Sequence, residues 1–194
     1  MAGAAAKDNR SKLLACALRL FVSKGYDGVG VQEIVEAAGV TKPTLYHYFG
    51  SKQGLVETLL AEEIGELTEK LTVACDYQHD LPKTLTDIAK AYFDFAKSHR
   101  EVYRLLLALY FAPLESDAYR AAVRFHDQHF DMVERVFEAA EKDHGNMRGR
   151  HKAYAATFTG MIDRYIALAL HGHTHLDDVL LHQAVKQFQH GIYS

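Results

Sequence analysis

The sequence has few of the residues that mark small crosslinked or fibrous proteins: 2 cysteines, 3 prolines and no tryptophan in 194 residues. Cys16 and Cys75 are too few for a disulfide framework or a zinc finger. Both lie in stretches of helical spacing, so we interpret them as small buried side chains, with a redox pair as the alternative. The low proline content, with 13 glycines, excludes collagen-like and low-complexity chains.

Long apolar runs are also absent. The longest stretch, from Val102 to Leu114, includes Arg104 and is shorter than the roughly 20 apolar residues of a transmembrane helix. The stretch from Leu13 to Val22 includes Arg19 and is followed by no small-residue cleavage site, which argues against a signal peptide. We therefore expect a cytoplasmic chain with no membrane partner.

The common catalytic signatures are missing as well, because the sequence contains no GxSxG, no HExxH and no glycine-rich phosphate loop. We therefore expect that the chain is not an enzyme and needs no cofactor.

Strand patterns are nearly absent, whereas apolar residues recur with helical spacing through almost every segment. The sequence predicts an all-α fold of about nine helices. Their markers are Leu13 to Phe21, Val31 to Ala38, Lys42 or Pro43 to Phe49, Ser51 to about Cys75, a helix after Pro82, Glu101 to Phe111, a helix from Ser116 to before Asp143, Arg150 to about His171, and Leu176 to Ile192.

The net charge of −3 is unevenly distributed along the chain. Residues 1–56 carry seven basic and four acidic side chains, a net +3, which leaves −6 for the remainder. A mildly basic segment joined to an acidic one is typical of a small DNA-reading module attached to a different domain. We predict a three-helix DNA-binding domain in residues 1–52 and a larger helical domain in residues 53–194.

Two short predicted helices lie in the segment VQEIVEAAGVTKPTLYHYFGSK, separated only by Gly39, Val40 and Thr41. This arrangement is typical of a helix-turn-helix, whose second helix enters the DNA major groove. At about 100° per residue, Leu45, Tyr48 and Phe49 fall on the buried side of the second helix. The opposite side presents Pro43, Tyr46 and His47, with Lys42 and Thr44 on its flanks.

The string AAGVTKPTLYHYFGSK closely resembles the signature of the tetracycline-repressor (TetR) family of bacterial transcriptional regulators, and the resemblance covers about Leu13 to Leu60. It implies contacts with DNA bases from Lys42, Pro43, Thr44 and His47, and contacts with phosphates from Thr41, Tyr46, Tyr48 and Lys52. The chain departs from the family where Val29 and Gly30 replace the usual Thr or Ser. No hydroxyl can contact a phosphate there, although Gly30 can cap the second helix with Glu33 as half of a capping box.

Aromatic residues are concentrated in the middle of the chain, where Tyr and Phe make up nine of the 39 residues from Tyr92 to Phe130. The resemblance implies that the middle helices line a ligand cavity, and a mostly apolar cavity suits a small hydrophobic effector. Ordinary core packing is the alternative for each single residue. The candidate ligand residues are Tyr92, Phe95, Tyr103, Leu107, Tyr110, Phe111, His126, Phe130 and Tyr165.

The last two predicted helices carry small and apolar residues on several sides, which indicates burial on several sides. The resemblance implies that they pair with their symmetry mates in a homodimer, which doubles the length of DNA that can be read. The candidate interface residues are Ala156, Gly160, Ile166, Leu180, Ala184 and Phe188.

Twelve histidines raise the alternative of a metal site, with His171 and His175 as its candidates and His126 with His129 as a second pair. Local signals weaken it, because Gly172 ends a helix beside His171 and Thr174 with Asp177 can form a capping box for the next helix. No metal is therefore expected.

The combined hypothesis is a ligand-responsive regulator, with repression favoured, that binds a palindromic DNA operator as a homodimer and is released by a small hydrophobic effector. A helical interaction module with a degenerate helix-turn-helix and a histidine-based metal protein are the alternatives.

Overall fold

The computed structural model describes residues 2–191, and within them it contains nine α-helices, one 3-10 turn and no strand. The all-α prediction is confirmed. The helices are α1 (Ala2–Lys24), α2 (Val31–Ala38), α3 (Lys42–Phe49), α4 (Lys52–Ala74), α5 (Leu81–Ser98), α6 (Arg100–Tyr110), α7 (Asp117–Ala140), α8 (His151–Leu170) and α9 (Asp178–His190); the 3-10 turn is Gly145–Met147. None of the described helices is long and apolar enough to cross a membrane.

The chain divides into two compact units. The first unit contains the residues up to Gly65 together with Glu101–Arg124, and the second contains Glu66–Arg100 together with the residues from Phe125 onward. The predicted boundary at residues 52 and 53 lies at the start of α4, within the first unit. The functional division into 1–52 and 53–194 stays a prediction.

Helices α1, α2 and α3 contact one another in the first unit. Their shared core contains side chains with no accessible surface, including Leu13, Ala17, Ile34 and Leu45. Burying each leucine or isoleucine contributes about 1.5–3 kcal/mol of transfer free energy, so this core holds α3 in a fixed orientation.

The second unit is held together by a cluster of aromatic rings. Phe158 lies 5.0 Å from Phe188 and 6.4 Å from Phe137, measured between ring centroids, and Phe137 lies 5.7 Å from Tyr154. The three phenylalanines come from α7, α8 and α9, so the cluster joins these helices. Helix α5 contacts both α8 and α9 in the same unit.

Most predicted helix ends agree with the observed ones to within one or two residues, but α1 begins at Ala2, well before its first predicted marker at Leu13. Helix α9 begins two residues after the predicted Leu176, because Asp177 is its N-cap and the Asp177 carboxylate accepts a 2.8 Å hydrogen bond from the backbone N–H of Leu180. Asp177, and not Thr174, therefore caps α9. The predicted end of that helix, Ile192, lies outside the described residues.

Candidate nucleic-acid interface

Helices α2 and α3 and the turn between them form the predicted helix-turn-helix. Gly39 ends α2 with a φ of 66°, a left-handed conformation that glycine adopts without strain. The N–H of Gly39 bonds to the carbonyl of Glu36, and that of Val40 bonds to the carbonyl of Val35 at 2.9 Å. This Schellman-type closure sets the direction in which the chain enters α3.

Helix α3 buries the face that its sequence predicts. Leu45 and Phe49 are buried, and Tyr48 is half-buried. Pro43 lies in the first turn, where its missing N–H costs no hydrogen bond, and Gly50 ends the helix.

The opposite face of α3 is open to solvent. Lys42, Pro43 and His47 are exposed, and Tyr46 is 48% exposed, a high value for a tyrosine. Thr44, on the flank, is half-buried. The orientation of these side chains therefore agrees with the predicted DNA-facing surface, while their individual contacts with bases and phosphates stay predictions.

Thr41 occupies the N-cap position of α3, but its hydroxyl makes no capping bond to the helix backbone. It lies 3.0 Å from the hydroxyl of Thr44 instead. Only one of the two hydroxyl protons is used between these oxygens, so the other is free to be donated outward.

The start of α2 lacks a side-chain cap. Gly30 is the N-cap, and because glycine has no side chain it makes no side-chain hydrogen bond to the helix backbone. The predicted capping box with Glu33 is wrong, because the carboxylate of Glu33 pairs with the ammonium of Lys24 near the end of α1. This ion pair ties α2 to α1.

Most basic side chains of the first unit's N-terminal helices are engaged within the chain. Arg10 pairs with Glu62 and lies over the ring of Phe49, and Lys12 pairs with Asp8. Lys42 differs, because no ion-pair, hydrogen-bond or ring partner for its side chain occurs among residues 2–191. It is the cation on the exposed face of α3 that can pair with DNA.

Lys52, also predicted to contact a phosphate, binds groups of its own chain in the structure. Its ammonium donates hydrogen bonds to the backbone carbonyls of Tyr26 and Val29, both at 3.1 Å, and lies 4.1 Å from the centroid of the Tyr26 ring. In the chain without DNA, two of the three N–H donors of Lys52 are therefore used within the chain, and its predicted phosphate contact stays a prediction. Spacing along one helix gave no signal of this, because the acceptors precede Lys52 by more than 20 residues.

The nine candidate ligand residues divide between the two units. Tyr103, Leu107, Tyr110 and Phe111 belong to the first unit; Tyr92, Phe95, His126, Phe130 and Tyr165 belong to the second. Tyr92, Phe95 and Tyr103 are buried, and the others are half-buried except Phe111. Phe111 is 78% exposed at the end of α6, so it does not belong to an apolar interior.

A buried polar cluster in the second unit surrounds His129. Its Nε2 lies 2.9 Å from the hydroxyl of Thr68, and its ring meets the ring of Tyr92 edge to face, with centroids 6.1 Å apart. Burial, with a smaller effect from the charge of His126, lowers the pKa of His129 to about 4. Histidine 129 is therefore neutral near pH 7 and can act as donor or acceptor toward a bound polar group.

A cavity of about 250 Å³ lies in the second unit, at the ends of α5, α7, α8 and α9. Leu81, Leu85, Phe137 and Phe188 supply its apolar lining, and His144 and Gln189 supply polar groups. No sequence pattern indicates this cavity, since its lining comes from separate segments of the chain.

The predicted dimer residues also differ in accessibility. Ala156 and Gly160 are exposed on α8, and Leu180 is half-buried on α9. Ile166 and Ala184 are buried within their own chain, and Phe188 packs on Phe158. These three side chains therefore pack in the core of the second unit. The accessible surface near the predicted interface is formed by Ala156, Gly160 and the exposed Val179.

The candidate metal ligands do not converge. His171, His173 and His175 are exposed in the connection between α8 and α9, with the first two rings 6.3 Å apart. Within the part of the chain that the structure describes, no three His, Cys, Asp or Glu side chains are grouped so as to hold a metal ion.

Both the sequence and the fold are similar to those of known proteins. A family model described as bacterial regulatory proteins, tetR family, matches residues 13–59. The HTH-type transcriptional activator FasR of Mycolicibacterium smegmatis is 34% identical over 99 residues, which cover 51% of this chain and 45% of FasR. The HTH-type transcriptional repressor BdcR of Escherichia coli is 29% identical over a 137-residue alignment, which covers 62% of this chain and 68% of BdcR.

The fold is similar to that of the transcriptional regulator FadR from Bacillus subtilis, solved in complex with stearoyl-CoA. The TM-score is 0.78 at 16% identity, and the likeness covers 94% of this chain and 99% of that one. At this identity the likeness establishes the fold alone. The matched part spans less than half the length of FasR, and the residues matched by the family model include the helix-turn-helix.

Proposed function

We propose that this chain, which belongs to the TetR family of bacterial regulatory proteins, binds double-stranded DNA through α3 and regulates transcription in response to a small molecule. The observation that carries the proposal is the exposed polar face of α3, on a helix held in place by buried Leu45 and Phe49. A short helix of this kind reads base edges in the major groove, while hydroxyl and basic side chains beside it bind phosphates.

Each side chain on that face has a defined expected role. For Lys42, which can reach either a phosphate or the guanine acceptors implied by the resemblance, we propose the phosphate contact, while the Thr44 methyl and Pro43 can contact thymine methyls. His47 can donate to a purine acceptor. Tyr46 and the hydroxyls of Thr41 and Thr44 complete the surface with phosphate contacts.

The DNA-binding proposal is tested by selecting duplexes from a random-sequence library with the full chain, then titrating the tightest one. We expect saturable, salt-sensitive binding to a palindrome. Lys42→Ala should weaken binding to the selected and to a random duplex alike, whereas His47→Ala should mainly lower the preference between them, by about 1–3 kcal/mol for a good base contact.

Lys186→Ala is the matched control, because it removes one exposed lysine from α9 in the second unit. It should bind both duplexes as the parent chain does. Equal losses for all three variants on both duplexes would contradict the assignment of α3 as the reading helix, and a stable dimer that binds no duplex would favour the interaction-module alternative.

We also propose a homodimer and an apolar effector. A twofold dimer places two copies of α3 in successive major grooves, about 34–36 Å apart, and Ala156, Gly160 and Val179 offer an accessible small-residue and apolar surface for pairing. Sedimentation equilibrium of the parent chain and of Gly160→Glu tests this, because a charge on a packed surface should shift the equilibrium to monomer.

Long acyl chains are the first effectors to test, since the FadR structure of similar fold was solved with stearoyl-CoA and the candidate ligand residues are mainly aromatic. A mostly apolar ligand of that kind should release the selected duplex. To reverse occupancy from 99:1 to 1:99, it must favour the non-binding conformation by about 5.5 kcal/mol. FasR is an activator and BdcR is a repressor, so similarity to them does not decide the direction of regulation. A reporter assay measures that direction, and we expect repression.

A further inference from the structure

Lys52, the first residue of α4, uses two of its three N–H donors inside the chain. An ammonium group carries three N–H donors. Two of them bind the carbonyl oxygens of Tyr26 and Val29 at 3.1 Å, and the group lies 4.1 Å from the centroid of the Tyr26 ring, where a cation is attracted by the ring face. The side chain is half-buried in this position.

The two carbonyls belong to the turn that joins α1 to α2. This turn is anchored by the buried side chains of Tyr26 and Val29, and the Val29 N–H bonds to the Tyr26 carbonyl at 3.3 Å. A larger residue does not fit at position 28 without a shift of the backbone, because a Cβ on Gly28 would lie 2.6 Å from the carbonyl oxygen of Lys24. Outside a helix such carbonyls lack regular backbone donors; that of Tyr26 accepts the Val29 N–H, and Lys52 donates to both.

The contacts of Lys52 join the two ends of the helix-turn-helix. Val29 directly precedes Gly30, the N-cap of α2, and Lys52 follows Gly50, the C-cap of α3, by two residues. The Lys52 side chain therefore links the residues on either side of segment 30–51, which contains both helices.

We propose that Lys52 is a positioning residue for DNA binding: it fixes the α1–α2 turn to the start of α4, and so fixes the direction in which α3 is presented, without contacting DNA itself. The inference rests on the proposed function, in which α3 reads DNA. It differs from a phosphate contact in a measurable way, because a phosphate contact releases counterions and a contact between lysine and backbone does not.

Lys42 provides the matched comparison within the same unit. Both side chains are lysines at the first residue of a helix, but Lys42 is exposed and without a partner among the described residues. Removing a phosphate contact lowers the slope of log K against log salt by about 0.9. We therefore expect that reduction for Lys42→Ala and a slope change below about 0.3 for Lys52→Met, which keeps the length of the side chain.

The experiment has two arms. In the first, hydrogen exchange is measured without DNA, and Lys52→Met is expected to speed exchange of the Val29 amide by about tenfold, a loss of protection of about 1.4 kcal/mol, while Lys42→Ala leaves it unchanged. In the second, binding to the selected duplex and to a random duplex is measured from 50 to 200 mM salt. Lys52→Met should bind the selected duplex about tenfold more weakly, equivalent to 1.4 kcal/mol, and the random duplex within about twofold of the parent chain.

Tyr26→Leu is the second variant and stands in if Lys52→Met does not fold. It keeps the charge of Lys52 but removes the ring beneath it, so positioning predicts weaker binding to the selected duplex at an unchanged salt slope. A phosphate contact predicts parent-like binding for Tyr26→Leu.

A fall in slope on both duplexes with Lys52→Met, together with unchanged exchange at Val29, would overturn the proposal and return Lys52 to the phosphate contacts. Faster exchange with parent-like binding to the selected duplex would overturn the positioning role as well. If the parent chain bound no duplex, the proposed function would fail in the second arm, and positioning for DNA with it, while the exchange arm would still show whether Lys52 orders the turn.

Discussion

The helix-turn-helix and the second unit place their polar side chains in opposite ways. On α3 the polar face is open to solvent, and Lys42 has no partner among the described residues. In the second unit the central polar group is internal: His129 is 4% exposed, bonds to Thr68 and lies against the ring of Tyr92. The first arrangement suits a large polyanion that approaches from outside, and the second suits a ligand or core that excludes water.

This contrast explains why the exposed face of α3 could be predicted from the sequence, whereas the cluster around His129 could not. The exposed face of α3 depends on the periodicity of a single eight-residue helix. The cluster around His129 depends on α4, α5 and α7 meeting, since Thr68, Tyr92 and His129 come from three helices. A surface can be predicted from one helix, whereas an internal polar site requires knowledge of how several helices pack.

The largest expected effect tests whether His129 is internal and neutral. Its folded-state pKa is lowered from 6.5 to about 4, so between these values the unfolded chain binds a proton that the folded chain does not. The free energy of unfolding therefore falls as the pH is lowered from 6.5 to 4, by up to about 3 kcal/mol from this residue. Urea denaturation at intervals of half a pH unit, on the parent chain and on His129→Gln, measures the difference.

His129→Gln should remove this part of the pH dependence. Thr68→Val is the matched control, because it removes the hydroxyl at Nε2 but leaves the histidine buried. It should lower stability by about 1 kcal/mol and keep the slope with pH. Identical pH profiles for the parent chain and His129→Gln would mean that the second unit admits water to this site, and the contrast with α3 would disappear.

The fold was predictable where a local signal decides it. Gly39, Gly50 and Pro43 mark the ends of α2 and α3, and the spacing of Leu45 and Phe49 assigns the buried face; all of these agree with the structure. The same signals could not show where long side chains reach. Lys52 and Glu33 were expected at a phosphate and in a capping box, and both bind partners in another part of the first unit.

The second unit shows a different limit. Small and apolar residues on several sides of α8 and α9 predict burial on several sides, but the single chain buries only one stripe of each helix, and the pattern does not say which side faces the chain's own core. Ile166 and Ala184 turn out to lie in that core, as does most of Phe188. Only the positions that stay accessible in the single chain, such as Ala156 and Gly160, remain open to a partner.

A smaller effect is expected at Asp177, an exposed polar side chain of the second unit whose role, like that of the α3 face, follows from a local sequence signal. Asp177→Ala removes the carboxylate that caps α9, and the loss of an N-cap costs about 1 kcal/mol of folding free energy. Thr174→Ala is the control and should change stability by less than about 0.5 kcal/mol, because Thr174 precedes the N-cap. Thermal unfolding of both variants measures the difference, and a larger loss for Thr174→Ala would restore the capping box predicted from the sequence.

The smallest expected effect concerns the hydroxyl of Tyr26, which is a buried polar group in the first unit. It is buried, no hydrogen-bond partner for it occurs among the described residues, and burial, with the charges of Asp117, Asp27 and Glu57, raises its pKa to about 12. A buried hydroxyl without a partner loses its hydration on folding and gains nothing in return, so Tyr26→Phe should be neutral or stabilising by up to about 1 kcal/mol. The ring beneath Lys52 is retained, so DNA binding should be unchanged. Urea unfolding of Tyr26→Phe at pH 7 measures the change, and a loss above about 1 kcal/mol would mean that the hydroxyl is bonded in solution and that the first unit, like the second, contains an internal polar site.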